Sequence, residues 1–166
     1  MTPEGSKEVE VDPEARSLAA VLLRRLISGQ ITNDQFEDDF PISSDPALDA
    51  IRDTAWFYYS DTKEYHLKGP ERHHPDEKRA IIRWILFLDS NCIYQWPAIR
   101  LPGNDPGRFT YSNFSRFLRR LLGMPDPTNK VRDFDASGHY PVWPFISKKD
   151  YLFALRNPKR LSGKSV

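Results

Sequence analysis

Residues 75–90, "PDEKRAIIRWILFLDS", decide between two folds. From Ala80 to Leu88 the run is apolar except for Arg83, so its periodicity alone fits either a buried helix or a helix that gives way to a core strand. Length arbitrates, because strands rarely exceed about eight residues and this segment runs on from Pro75, Asp76 and Glu77, residues suited to a helix start. A helix over about 76–89 makes the chain mainly α; a strand would make it α+β, which is the alternative.

The segments upstream support the helical reading. In "VDPEARSLAAVLLRRLISGQ" (11–30), Asp12 is placed to cap, Pro13 to open and Gly29 to close a helix. Ala15, Leu18, Ala19, Leu22 and Leu26 are spaced to form its buried stripe. "ITNDQFEDDFP" (31–41) has Thr32 and Gln35 at capping-box spacing, with Phe36 and Phe40 turned inward. "SSDPALDAIRDTAWFYYSD" (43–61) begins with Asp45 as cap and Pro46 as first residue. Leu48, Ile51, Ala55 and Tyr59 keep helical spacing, and Trp56 and Tyr58 are expected to widen the buried face.

Between this segment and the central helix, "TKEYHLKG" (62–69) alternates, with Tyr65 and Leu67 on one side, and reads as a short strand. Downstream, "NCIYQWPAI" (91–99) is β-branched and aromatic, so the two are expected to pair as a small ribbon. "TYSNFSRFLRRLLGMP" (110–125) is an amphipathic helix ended by Gly123 and Pro125. Residues 124–146 are irregular, with Phe134, Tyr140, Trp143 and Phe145 to pack them, and "SKKDYLFALRNP" (147–158) closes the chain with a helix capped by Ser147 and Asp150. The expectation is a single compact domain of about six helices over 12–158, with a possible short two-stranded β element, a disordered N-terminal tail over 1–11 and a basic C-terminal tail over 159–166.

At 166 residues such a domain buries enough surface to fold without staples. The single cysteine, Cys92, excludes an intramolecular disulfide and a multi-cysteine metal site. The N-terminal "MTPEGSKEVEVDPEAR" lacks the features of a secretory signal and no apolar run is long enough to span a bilayer, so a cytoplasmic protein with no membrane partner is expected. The net charge of +1 hides a separation: residues 1–64 carry 14 acidic and 6 basic side chains, and residues 65–166 carry 9 and 18. The two halves could fold against each other and neutralise, or each could meet an oppositely charged partner.

Four groups of residues could carry function. In "RDFDASGHYP" (132–141), Asp133, Asp135, Ser137 and Gly138 match the start of a calcium loop, whose oxygen ligands fall at alternate positions before a glycine. The twelfth position is Pro144, which has no side-chain oxygen, so a polar turn is the better reading. Glu64, His66, His73 and His74, with Asp133 and Asp135, are the ingredients of a metal-dependent enzyme, but without helical or zinc-ligand spacing.

No nucleophile elbow, phosphate loop or other complete catalytic motif is present, so no cofactor is expected and catalysis is unsupported. Arg116, Arg119 and Arg120 line one face of the 110–123 helix and, with Lys148 and Lys149, suit a nucleic-acid-binding surface. Asp34, Glu37, Asp38 and Asp39, with Trp56, Tyr58 and Asp61, set carboxylates beside aromatic rings, which suits capture of a basic protein. The preferred expectation is a small macromolecule-binding protein, an adaptor, regulator or toxin inhibitor of the immunity type, using this acidic-aromatic surface. Its oligomeric state is not legible in the sequence.

Overall fold

The computed structural model describes residues 11–60, 62–97 and 136–158. Within them the protein is mainly α-helical: α1 (Pro13–Ile27), α2 (Asn33–Asp39), α3 (Pro46–Ala55), α4 (Pro75–Leu88) and α5 (Lys148–Arg156). The expected helix over 110–123, both tails and Phe134 lie outside the described residues.

Pro75–Leu88 forms one helix, and it is the centre of the fold. His74 opens α4 by accepting from the Asp76 backbone N–H, while the Glu77 carboxylate accepts from His74 N–H. Ile81, Trp84, Ile85, Leu86, Phe87 and Leu88 are buried, so the second half of α4 is enclosed nearly all round. α1 and α3 pack against it, α2 packs on α1, and α5 packs on α4.

The predicted ribbon does not form. Among the described residues the only β contact is an isolated antiparallel bridge between Thr32 and His66. The loop over 60–66 is held by a side chain: fully buried Asn33 donates to the carbonyls of Ser60 (2.9 Å) and Lys63 (3.0 Å) and accepts from Tyr65 N–H (2.7 Å). An amide that supplies both donors and an acceptor replaces the partner strand. Residues 91–97 are likewise irregular, with Tyr94 and Trp96 buried and Trp96 Nε1 donating to the Pro144 carbonyl at 3.0 Å.

Two further expectations are corrected. Leu18 is 47% exposed and not part of the core stripe, which instead runs through Arg16, Ala19, Ala20, Leu22, Leu23 and Leu26. Trp56 does not widen the buried face of α3, because the helix ends at Ala55 and residues Trp56–Tyr58 tighten into a 3-10 turn, leaving Trp56 exposed. Gly138 marks a close approach in the aromatic connection: a Cβ there would lie 2.6 Å from the Ile146 carbonyl oxygen, the atom that accepts from His139 N–H.

The deepest polar feature is an ion pair. Arg16 Nε donates to Asp45 Oδ2 at 2.5 Å and its Nη2 to Oδ1 at 3.1 Å, with both side chains fully buried. The remaining Arg16 donors reach the carbonyls of Ser90 (3.3 Å) and Cys92 (2.8 Å), and the guanidinium lies over the Phe87 ring. Asp45 also accepts from the backbone N–H groups of Ala47 and Asp12. This network ties the starts of α1 and α3 to the chain leaving α4.

Candidate functional site

α2 forms because Thr32 and Gln35 close a reciprocal capping box and Phe36 anchors the helix in the core. Anchoring Phe36 turns Asp34, Glu37, Asp38 and Asp39 to solvent. Among the described residues, none of these four carboxylates takes part in a salt bridge.

Tyr59 sets the aromatic turn beside this helix. Its ring packs edge-on against Phe36 at 6.0 Å. Burial, followed by the negative charge of Glu37, pushes the phenol far above its ordinary range. Trp56 and Phe57 meet in a T-shaped pair at 5.6 Å and remain 45% and 40% exposed. A half-exposed aromatic pair and solvent-facing carboxylates are the elements with which a partner could desolvate large rings while its cations approach the acids.

The sequence-predicted members divide accordingly. Asp34, Glu37, Asp38, Asp39 and Trp56 are all at the surface. Tyr58 points inward, packing on Trp84 (5.2 Å) and His73 (6.0 Å), so it supports the turn from below. Asp61 lies outside the described residues. Phe57 was missed by sequence reasoning; "WFYY" does not reveal which rings face out once a 3-10 turn replaces helical spacing.

The metal-ligand candidates are not assembled. Glu64 accepts from the Thr32 hydroxyl, His66 forms the bridge to Thr32, and His74 caps α4. His73 is buried, with Nδ1 3.4 Å from Glu77 and Nε2 without a hydrogen-bond partner. Among the described residues, no three His, Cys, Asp or Glu side chains gather to hold a metal ion; Asp133 and Asp135 lie outside them. The nearest concavity is an open cleft lined by Gly69, Pro70 and Arg72 through Pro75.

No family model, curated protein or solved structure matches this chain. The second charged surface is on α5, where Lys148, Lys149 and Arg156 are exposed and free of salt bridges among the described residues. Phe153 and Leu155 stand beside them, 70% and 45% exposed. Arg116, Arg119 and Arg120, the other members of the predicted nucleic-acid surface, lie outside the described residues.

Proposed function

We propose that this protein binds another protein of basic charge through α2 and the adjoining aromatic turn, as an adaptor, regulator or inhibitor of the immunity type. The observations that carry this reading are the four solvent-facing carboxylates of α2, in no salt bridge among the described residues, and the half-exposed Trp56–Phe57 pair on the turn whose Tyr59 packs against Phe36 of α2. Acidic side chains accelerate and orient the encounter, and the aromatic rings supply the desolvated anchor that holds it. A cytoplasmic location fits a chain with one cysteine, and no helix among the described residues is long and apolar enough to cross a membrane.

Affinity capture tests the reading. A partner retained by the wild-type protein should be lost by Glu37→Lys/Asp38→Lys/Asp39→Lys and weakened by Trp56→Ala/Phe57→Ala, with far-UV circular dichroism unchanged. A partner that the triple variant retains at wild-type affinity would exclude this surface.

A further inference from the structure

The two charged surfaces are complementary to each other, yet no salt bridge joins them among the described residues. α2 packs on α1 while α5 packs on α4. The described ion pairs that join the acidic half of the chain to the basic half are Arg24–Asp89 and Lys63–Glu71. In both, the cation comes from the acidic half and the anion from the basic half, so neither uses an α2 carboxylate or an α5 cation. Each region also carries exposed large apolar side chains, the Trp56–Phe57 pair on the turn after α3 and Phe153 on α5.

The α5 face follows from how the helix docks. Ala154 is buried and Tyr151 packs against Phe145, at 5.6 Å between ring centres, which fixes the inward side. The opposite side then presents Lys148, Lys149, Phe153, Leu155 and Arg156. Phe153 is 70% exposed and lies three and four residues from the cations Arg156 and Lys149. Three exposed cations on α5, in no salt bridge among the described residues, match four such carboxylates on α2.

From this complementarity we infer that the α5 face docks on the acidic-aromatic surface of a second copy of this chain. The inference rests on the binding reading above and names the basic partner as the protein itself. The contact joins two different patches, so it is heterologous: each copy keeps one free acidic and one free basic face, and assembly proceeds to a closed ring or an open chain. Opposed charges supply the encounter rate, and burial of Phe153 against Trp56 and Phe57 supplies the slow release.

Charge reversal tests this without threatening the fold. Asp38→Lys/Asp39→Lys puts cations at the C-terminal end of α2, and Lys148→Glu/Lys149→Glu puts anions in the first turn of α5. Both changes favour the helix dipole, so neither variant should lose its helix. Sedimentation velocity on the full chain is expected to show a weight-average mass that rises above the monomer with concentration at low salt and falls back at high salt, where screening shortens to a few ångströms. Each variant alone should associate more weakly by roughly a factor of ten or more. A one-to-one mixture of the two should restore pairing, because the unaltered α5 face of the first variant then meets the unaltered α2 face of the second, giving a heterodimer capped at both ends.

A wild-type protein that stays monomeric throughout, variants that associate as the wild type does, or a mixture that fails to recover would each overturn self-docking. So would a monomer whose α5 face instead binds anionic vesicles or single-stranded nucleic acid, with that binding lost in Lys148→Glu/Lys149→Glu. Failure here leaves a separate readout for the acidic surface: a monomeric protein that still captures a foreign basic partner through Asp38 and Asp39 retains the binding function and loses only the self-partner.

Discussion

Arg16 and Asp45 exclude water from two opposite charges, and such a pair is strongly coupled to whichever partner remains when one is removed. Asp45→Ala should cost about 3–5 kcal/mol, since it strands the buried guanidinium and releases the Ala47 N–H it caps. Urea denaturation measures this; a loss below about 1 kcal/mol would mean that the network does not tie α1 to α3. Arg16→Met/Asp45→Leu should lose less than Asp45→Ala, because no unpaired charge is left behind. His73 gives a second expectation. Burial holds its pKa below the ordinary 6.5, and outweighs the opposing pull of Glu77, with Lys78 acting in the same direction as burial. The unfolded chain therefore takes up a proton near pH 6.5 while the folded chain does not. The stability that depends on neutral His73 is complete above that pH and is lost as pH falls toward the depressed folded value. Thermal midpoints should drop between pH 7 and 5.5, and His73→Gln should flatten the slope; an equal slope in both proteins would assign the drop to other groups.

At the scale of elements, helix starts carry their own signals because a cap is local chemistry. Asp12, Thr32, Asp45 and Ser147 each accept from a backbone N–H two or three residues on, as their positions in the sequence imply. The Thr32 hydroxyl accepts from Gln35 N–H at 3.1 Å while donating to Glu64 at 2.8 Å, so one group caps α2 and pins the following loop. Thr32→Ala should therefore cost about 1–2 kcal/mol and Thr32→Ser far less, measured by chemical denaturation; equal losses would show that the hydroxyl is not the source. What local signals could not reveal were partners distant in the chain. Alternation over 62–69 announced a strand, but a strand needs another to pair with, and here Asn33 takes that role from 30 residues away. Arg16 carries no mark of burial, since arginine is ordinarily a surface residue and only Asp45 makes its enclosure tolerable. The acids of α2 were legible because anchoring Phe36 leaves the polar face one orientation; the apolar half of the α5 face was not, because it depends on which side of α5 docks on α4.

At the scale of the whole molecule, the question left by the sequence was whether its −8 and +9 halves neutralise each other. Among the described residues they do not: α2 and α5 keep their charges to solvent, and the most deeply buried ion pair, Arg16–Asp45, is internal to the acidic half. Charges held apart in this way contribute to encounters more than to folding. Surface pairs such as Arg79–Asp76 and Arg52–Asp49 join near neighbours on one helix and contribute only a few tenths of a kcal/mol each. Salt should therefore separate the two properties. Raising ionic strength from about 0.05 to 0.5 M shortens the Debye length from roughly 14 to 4 Å. This should weaken association through the α2 and α5 faces while shifting the thermal midpoint of the Lys148→Glu/Lys149→Glu variant, in which self-docking is disabled, by less than about 2 °C. The variant matters because an associating wild type would lose apparent stability simply by dissociating. Differential scanning calorimetry decides the point: a midpoint that falls by about 5 °C or more with salt would mean that the acidic and basic halves hold each other in the folded monomer, and both faces would then be structural rather than free to bind.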